Sequence, residues 1–130
     1  MILLDTHVPV WLAFEPLRVS VRARTAIEGA RAKGEGLALC DISLLEISTL
    51  HRRGRIQLDA GLPSFLREME TRFTILSITS RACVAACDLP ASYPKDPADR
   101  IIAGTALAEG LPLLTADSEI RRSKAVHTIW

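Results

Sequence analysis

Hydrophobic residues along this chain cluster into short runs that contain few or no polar positions. A short apolar run bounded by turn signals is typical of a parallel strand that is buried on both faces. Strands are therefore predicted at Ile2–Leu4, Leu37–Cys40, Phe73–Leu76, Leu113–Thr115 and Val126–Ile129. Their wide separation along the chain leaves room for a helical crossover between each pair of neighbours.

The segments between these strands show helix start and stop signals, such as Ser or Asp before a helix and Gly after it. Helices are predicted at Val8–Phe14, Ser20–Ala32, Ser43–Arg53, Gly61–Thr71, Ser80–Leu89, Asp96–Glu109 and Ser118–Arg122, with the Ser, Asp or Gly that starts a range as the N-terminal signal. Alternating strands and helices predict a three-layer α/β/α sandwich with a mainly parallel sheet of four to five strands.

Length and composition indicate one domain that spans residues 1–130. Hydrophobic residues make up 48% of the chain and charged residues 24%, an ordinary balance for a globular protein. No apolar run approaches the ~20 residues of a membrane span, and the N-terminus lacks a basic signal-peptide region. We therefore expect a cytoplasmic protein without membrane contact, in which all three cysteines are free, buried thiols.

Four acidic residues stand where these apolar elements end or where the next helix begins: Asp5, Glu46, Asp99 and Asp117. In a parallel α/β sheet, sites form outside the carboxyl ends of the strands, at a topological switch point. A group of carboxylates repels itself unless protons or a cation neutralise it. The placement therefore predicts a divalent-metal site and metal-assisted phosphodiester chemistry.

Each carboxylate also has a purely structural interpretation. Asp5 and Asp117 each precede a predicted helix and could be its N-cap. Thr115 lies beside Asp117, where its hydroxyl either contacts a metal-bound water or ends the strand. His7 follows Asp5 by two residues, and no role for it follows from the sequence.

The other two carboxylates fall in the first turns of predicted helices. Ser43 and Glu46 have the spacing of a capping box, in which Glu46 closes the helix N-terminus. Asp96 precedes a proline, a standard helix start, so Asp96 is predicted as the N-cap and Asp99 as the functional carboxylate one turn in. The alternative makes both residues stabilise the helix dipole. Arg100 could pair with one of these carboxylates or contact phosphate.

The formal net charge of +1 means that a polyanionic substrate must be met by local charge. Arg52, Arg53 and Arg55 form a basic group at the end of a predicted helix. Such a group favours the helix dipole and is also suited to contact RNA or a protein partner.

The motifs stand in the order Asp5-Thr6-His7, Ser43-x-x-Glu46-Ile47, Asp96-Pro97-x-Asp99-Arg100 and Leu114-Thr115-x-Asp117. This ordered set resembles the PIN-domain family over the whole chain, and more narrowly the VapC-type toxins of bacterial toxin–antitoxin pairs. Two positions depart from the pattern. Leu45 stands where a Trp often precedes the Glu, and Ala98 stands where an aromatic residue is common.

The resemblance implies a metal-dependent endoribonuclease that binds Mg²⁺ or Mn²⁺, forms homodimers and is inhibited by a VapB-like antitoxin. Carried over by position, the catalytic and metal-binding set is Asp5, Glu46, Asp99 and Asp117, with Asp96 as an accessory ligand. RNA is then the expected substrate, cleaved by a metal-activated water to leave a 5′-phosphate.

Two other functions remain compatible with the residues. A metal-dependent phosphatase with an Asp nucleophile needs a second carboxylate two residues after the first, and His7 at that place counts against it. A non-catalytic PIN-like binding module would use its carboxylates only to cap helices and to bind a basic peptide.

Overall fold

A five-stranded sheet in which every neighbouring pair is parallel forms the centre of the fold. The computed structural model describes residues 1–130. The strands are β1 (Ile2–Leu4), β2 (Leu37–Cys40), β3 (Thr74–Leu76), β4 (Leu113–Leu114) and β5 (Thr128–Ile129). Their order across the sheet is β3-β2-β1-β4-β5. From β1 the chain first adds β2 and β3 on one side and then β4 and β5 on the other side. The carboxyl end of β1 is therefore the topological switch point.

The register of the sheet aligns the carboxyl ends of its central strands. Leu4 of β1 lies opposite Leu39 of β2 and Leu114 of β4. The next residue of each strand continues past the sheet, so Asp5 and Thr115 leave it at the same edge. Their backbones remain tied together, because the amide of Asp5 donates to the carbonyl of Leu114 at 3.0 Å.

Seven α-helices cover the sheet: α1 (His7–Phe14), α2 (Val21–Ala32), α3 (Ile42–Arg52), α4 (Leu62–Arg72), α5 (Ser80–Cys87), α6 (Pro97–Glu109) and α7 (Ser118–Ser123). Two separate hydrophobic cores lie on the two faces of β1. Ile2 and Leu4 pack with residues of α1 to α4, and Leu3 packs with residues of α6 and α7. This arrangement confirms the predicted three-layer α/β/α sandwich.

Two of the predicted helix caps are wrong. Ser43 does not cap α3, which begins at Ile42 after Asp41 and has no side-chain cap hydrogen bond. Ser80 is the first residue of α5, and its neighbour Thr79 accepts the capping hydrogen bond from the amide of Ala82. In both cases the helix begins earlier than the serine predicted, so the serine side chain no longer faces the free amide groups.

The cysteines also differ from expectation. Cys40 is a buried free thiol, but Cys83 and Cys87 are free and exposed on α5. The face of α5 that packs against α6 carries Ala82 and Ala86, so the two cysteines lie on the outer side of the helix. None of the helices is both long enough and apolar enough to cross a bilayer.

Candidate active site

Five carboxylates from four parts of the chain line one cleft at the carboxyl edge of the sheet. The cleft has a volume of about 510 Å³, and the acidic residues in its lining are Asp5, Glu46, Asp96, Asp99 and Asp117. All five are residues that the sequence predicted. The parallel sheet brings them together because β1 and β4 end here and because α3 and α6 begin beside them.

Asp5 is the buried member of this group, with 5% of its surface exposed. Its Oδ2 accepts a hydrogen bond from the hydroxyl of Thr115 at 2.7 Å, and its Oδ1 accepts one from the amide of Thr6 at 2.8 Å. Asp5 is not the N-cap of α1, because Thr6 occupies that position and no side chain caps the helix. Asp5 is instead held in a fixed orientation, which suits a ligand that must point into the cleft.

Glu46 is positioned by Thr6, whose importance the sequence did not reveal. The Thr6 hydroxyl donates to Oε1 of Glu46 at 2.5 Å and lies 2.9 Å from the hydroxyl of Ser43. A hydroxyl has one hydrogen to donate. Since Thr6 gives that hydrogen to Glu46, the fully buried Ser43 donates to Thr6. The predicted capping box is thus replaced by a relay of hydroxyls that joins α3 to the end of β1.

Asp96 is the helix N-cap that the sequence predicted, Asp117 is also an N-cap, the structural alternative given for it, and both line the cleft. Oδ1 of Asp96 accepts from the amides of Ala98 and Asp99 at 2.9 and 3.2 Å. Oδ1 of Asp117 accepts from the amides of Glu119 and Ile120 at 2.8 and 3.0 Å. Capping occupies only one oxygen of each carboxylate, so the capping and metal-binding interpretations are compatible.

Of the two predicted accessory residues, Thr115 contacts a cleft carboxylate and Arg100 does not. Thr115 is fully buried, and its hydroxyl donates to Asp5 and accepts the amide hydrogen of Asp117 at 3.1 Å. It therefore positions two carboxylates. Arg100 turns away: its guanidinium donates to the carbonyl oxygens of Ala86 and Tyr93, each at 3.4 Å. Of the two alternatives for Arg100, pairing with a carboxylate does not occur here, because these carbonyls hold the guanidinium outside the cleft, and contact with phosphate stays a prediction.

The proximity of the carboxylates changes their acidity. Burial first, and then the charges of Asp5, Asp96, Glu46 and Asp117, together raise the pKa of Asp99 to about 7. Burial also raises the pKa of Glu46, opposed by the hydrogen bond from Thr6. At Asp99 the cleft therefore holds a proton near neutral pH that an ordinary carboxyl group would have lost.

His7 lies among the cleft residues, although the sequence assigned it no role. Its Nε2 accepts a hydrogen bond from the amide of Ala116 at 3.0 Å, and its Nδ1 lies 3.6 Å from Oδ2 of Asp5. Burial lowers the pKa of His7, while the charges of Asp5 and Asp117 oppose that shift. The signal that could have revealed His7 is its place two residues beyond a strand-end carboxylate.

The donor set of the cleft fits a hard divalent cation. Carboxylate oxygens are the ligands that Mg²⁺ and Mn²⁺ prefer, and no Lys or Arg forms an ion pair with any of the five acidic residues. As the side chains stand, no three of them already surround a common point at ligand distance. Asp5 and Glu46 instead direct oxygens at hydroxyl groups. Binding an ion would therefore require small rotations of these side chains.

Comparison with known proteins agrees with the fold and with the motifs of this cleft. The PIN domain family model matches residues 2–125. The chain is 38% identical over 131 aligned positions to the protein named ribonuclease VapC22 of Mycobacterium tuberculosis, with 99% of this chain and 98% of that protein covered.

Solved structures share the same fold at lower sequence identity. VapBC2 of Rickettsia felis, bound to a promoter DNA fragment, matches with a TM-score of 0.73 and 19% identity over 98% of this chain and 97% of that chain. FitAcB of Neisseria gonorrhoeae matches with a TM-score of 0.62 and 23% identity over 98% of this chain and 96% of that one. With the family match over nearly the whole length, the chain belongs to the PIN-domain family, among its VapC-type members.

Proposed function

We propose that this protein is a Mg²⁺- or Mn²⁺-dependent endoribonuclease and the toxin of a VapBC-type toxin–antitoxin module. The observation that carries the proposal is the convergence of five carboxylates in one cleft at the switch point of the sheet. The name of the Mycobacterium tuberculosis relative, a ribonuclease, supports RNA as the substrate.

Asp5, Glu46, Asp99 and Asp117 would hold the metal, with Asp96 as an additional ligand. The ion would act as a Lewis acid. It would lower the pKa of a water molecule and balance negative charge on the phosphate in the transition state. Thr115 and Thr6 hold Asp5 and Glu46 at the wall of the cleft, each through a hydrogen bond to one carboxylate oxygen. A carboxylate left free of the metal would orient the attacking water and accept its proton.

Water attacks phosphorus in the proposed reaction, and the bond from phosphorus to the 3′ oxygen breaks. The proton of the water passes to a carboxylate, and a proton is delivered to the leaving 3′ oxygen. The products are a 3′-hydroxyl and a 5′-phosphate. Analysis of the new RNA ends therefore separates this reaction from cleavage through the ribose 2′-hydroxyl, which leaves a 5′-hydroxyl.

The central test replaces Asp5 by Asn, which keeps the shape of the side chain and removes its charge. We expect RNA cleavage to fall by roughly a hundredfold or more, because metal-based charge stabilisation contributes several kcal/mol. Glu70→Gln is the matched control, since Glu70 is an exposed carboxylate of α4 outside the cleft. Mg²⁺-dependent cleavage at the unmodified rate in Asp5→Asn would overturn the assignment.

A metal titration without RNA separates this proposal from a non-catalytic binding module. A true metal site raises the melting temperature as Mn²⁺ is added, because the ion binds only the folded state. Carboxylates that serve only as helix caps give little change. The Asp5→Asn variant should lose the stabilisation, while Glu70→Gln should keep it.

A VapB-like antitoxin is the proposed protein partner, supported by solved structures of the same fold that are described as VapBC complexes. An antitoxin that places an Arg or Lys in the cleft would compete with the metal for the same negative charge. Replacing that basic residue should abolish inhibition of RNA cleavage, and unchanged inhibition would contradict this mode of binding.

A second copy of the chain is the other proposed partner, and sedimentation equilibrium should then give about twice the 14.2 kDa chain mass.

A further inference from the structure

His7 connects the ends of two neighbouring strands beyond the last hydrogen bonds of the sheet. It follows β1, and its Nε2 accepts the amide hydrogen of Ala116, two residues past β4, at 3.0 Å. A ring nitrogen that accepts a hydrogen bond must carry a lone pair, so the single proton of the neutral ring lies on Nδ1. That Nδ1–H faces Oδ2 of Asp5 at 3.6 Å.

Aromatic neighbours fix the orientation of this ring. Trp11, one helical turn further along α1, has its ring centre 4.6 Å from that of His7 at an angle of 49°. Trp130 meets His7 edge-on at 6.2 Å and Trp11 at 5.8 Å. The guanidinium of Arg18 covers Trp11 at 3.9 Å from the ring centre. The imidazole is thus held between an aromatic cluster and the carboxylate cleft.

We infer that His7, as the neutral Nδ1–H tautomer, is a positioning residue that sets the separation between Asp5 and the Ala116–Asp117 segment. One ring meets both strand ends, through a hydrogen bond from the Ala116 amide and a longer approach of Nδ1 to Asp5 at 3.6 Å. Thr115 joins Asp5 to Asp117 through its hydroxyl, and His7 adds a separate contact at the intervening Ala116 amide. This role in metal binding rests on the proposed function, whereas the tautomer and its contacts do not.

The tautomer is tested by NMR on protein labelled with ¹⁵N at its three histidines. We expect the His7 ring to show a protonated Nδ1 and a lone pair on Nε2 at neutral pH, with the signals identified by their loss in His7→Gln. A protonated Nε2, or a doubly protonated ring, would overturn the inference whether or not the protein is a nuclease.

Two substitutions separate the two contacts of His7. In His7→Gln the side-chain oxygen can still accept from Ala116, while the group that faces Asp5 is lost. In His7→Asn an amide donor remains near Asp5, but the side chain is too short to reach Ala116. Hydrogen exchange of the Ala116 amide should therefore speed up in His7→Asn and change little in His7→Gln. Equal exchange in both variants and in the unmodified protein would rule out the bridge.

Metal affinity, measured by calorimetry with Mn²⁺ and no RNA, tests the consequence for the cleft. Groups that orient a metal ligand typically change metal affinity by about 10- to 100-fold, so we expect both variants to bind Mn²⁺ at least about tenfold more weakly. His127→Gln is the control, because His127 is exposed and outside the cleft. Unchanged affinity in both His7 variants would refute the positioning role. Failure of the unmodified protein to bind Mn²⁺ would refute the proposed function instead, and the exchange experiment would still decide the bridge.

Discussion

Asp99 is the cleft carboxylate whose pKa is raised to about 7, first by burial and then by the charges of its acidic neighbours. It lies in the first turn of α6, half-buried, and it faces four other acidic groups. Its side chain accepts no hydrogen bond from the protein, in contrast to Asp5 and Glu46. Without a cation, the folded state therefore resists ionisation of this group, and the pKa rises to about 7.

This raised pKa predicts that the metal-free protein loses stability as the pH increases. Below about pH 4 Asp99 is protonated in the folded and unfolded states alike, because its ordinary pKa is 3.8. Between that value and about 7, the unfolded chain releases the proton more readily, so the free energy of unfolding falls. Melting temperatures measured in EDTA should decrease from pH 5 to pH 8, with a shallower decrease in Asp99→Asn.

Glu46 has a pKa shifted in the same direction, so some of the slope should persist in Asp99→Asn. Glu70→Gln should retain the full slope, and added Mg²⁺ should restore stability at pH 8 in the unmodified protein. Identical slopes in Asp99→Asn and the unmodified protein would show that Asp99 is less buried, or further from the other carboxylates, than the structure indicates.

At the scale of elements, the close contact between α5 and α6 determines where Asp99 and Asp96 lie. The helices meet at Gly104, where an added Cβ would overlap the carbonyl oxygen of Ala82 and lie 2.9 Å from the Cβ of Ala86. Only a residue without a side chain permits this approach. Because Gly104 has no Cβ, α6 can lie this close to α5. The position of the first turn of α6, and so of Asp96 and Asp99, depends on this contact.

Gly104→Ala should accordingly force α6 away from α5. We expect the free energy of unfolding to fall by about 1–3 kcal/mol, the usual effect of overpacking, and Mn²⁺ binding to weaken as Asp99 shifts. Gly29→Ala in α2 is the matched control, since nothing lies within 4 Å of the added Cβ. That change should stabilise the protein by about 0.4–1 kcal/mol. Chemical denaturation of both variants tests the difference, and a neutral Gly104→Ala would contradict the packing.

Across the whole molecule, acidic and basic residues are unevenly distributed, although the net charge is only +1. Five of the 15 acidic residues but only one of the 16 basic residues line the cleft, so basic residues predominate over the rest of the chain. Arg53 is the one Lys or Arg in the lining of the cleft, at the end of α3. A polyanion approaching the carboxylates would thus meet positive charge at the rim, and a metal would neutralise the interior.

Arg53→Glu should therefore weaken RNA binding and lower the salt dependence of the affinity by about one unit of slope. Arg52→Glu is the matched control, because Arg52 is an exposed neighbour outside the cleft lining with the same change in net charge. Both variants are measured by fluorescence anisotropy with a short single-stranded RNA, in an Asp5→Asn background that prevents cleavage. Equal effects of the two changes would show that the attraction is general rather than local to the rim.

The amino-acid sequence by itself determined the architecture and the identity of the five cleft acids. Wholly apolar runs predicted the strands, and parallel strands necessarily align their carboxyl ends, so Asp5 and Asp117 had to lie near each other. The proline after Asp96 marked the start of α6 and placed Asp99 one turn in. These conclusions need only local signals and the rules of parallel sheets.

Only the tertiary structure decided which side chains hold those acids in place. The hydroxyl of Thr6 meets Glu46 across 40 positions of sequence, and that of Thr115 meets Asp5 across 110. His7 reaches Ala116 across 109 positions, and Arg100 turns to backbone carbonyls instead of a carboxylate. Periodicity and capping signals extend over about one helical turn, whereas a side-chain hydrogen bond depends on the partner that the fold brings within about 3 Å.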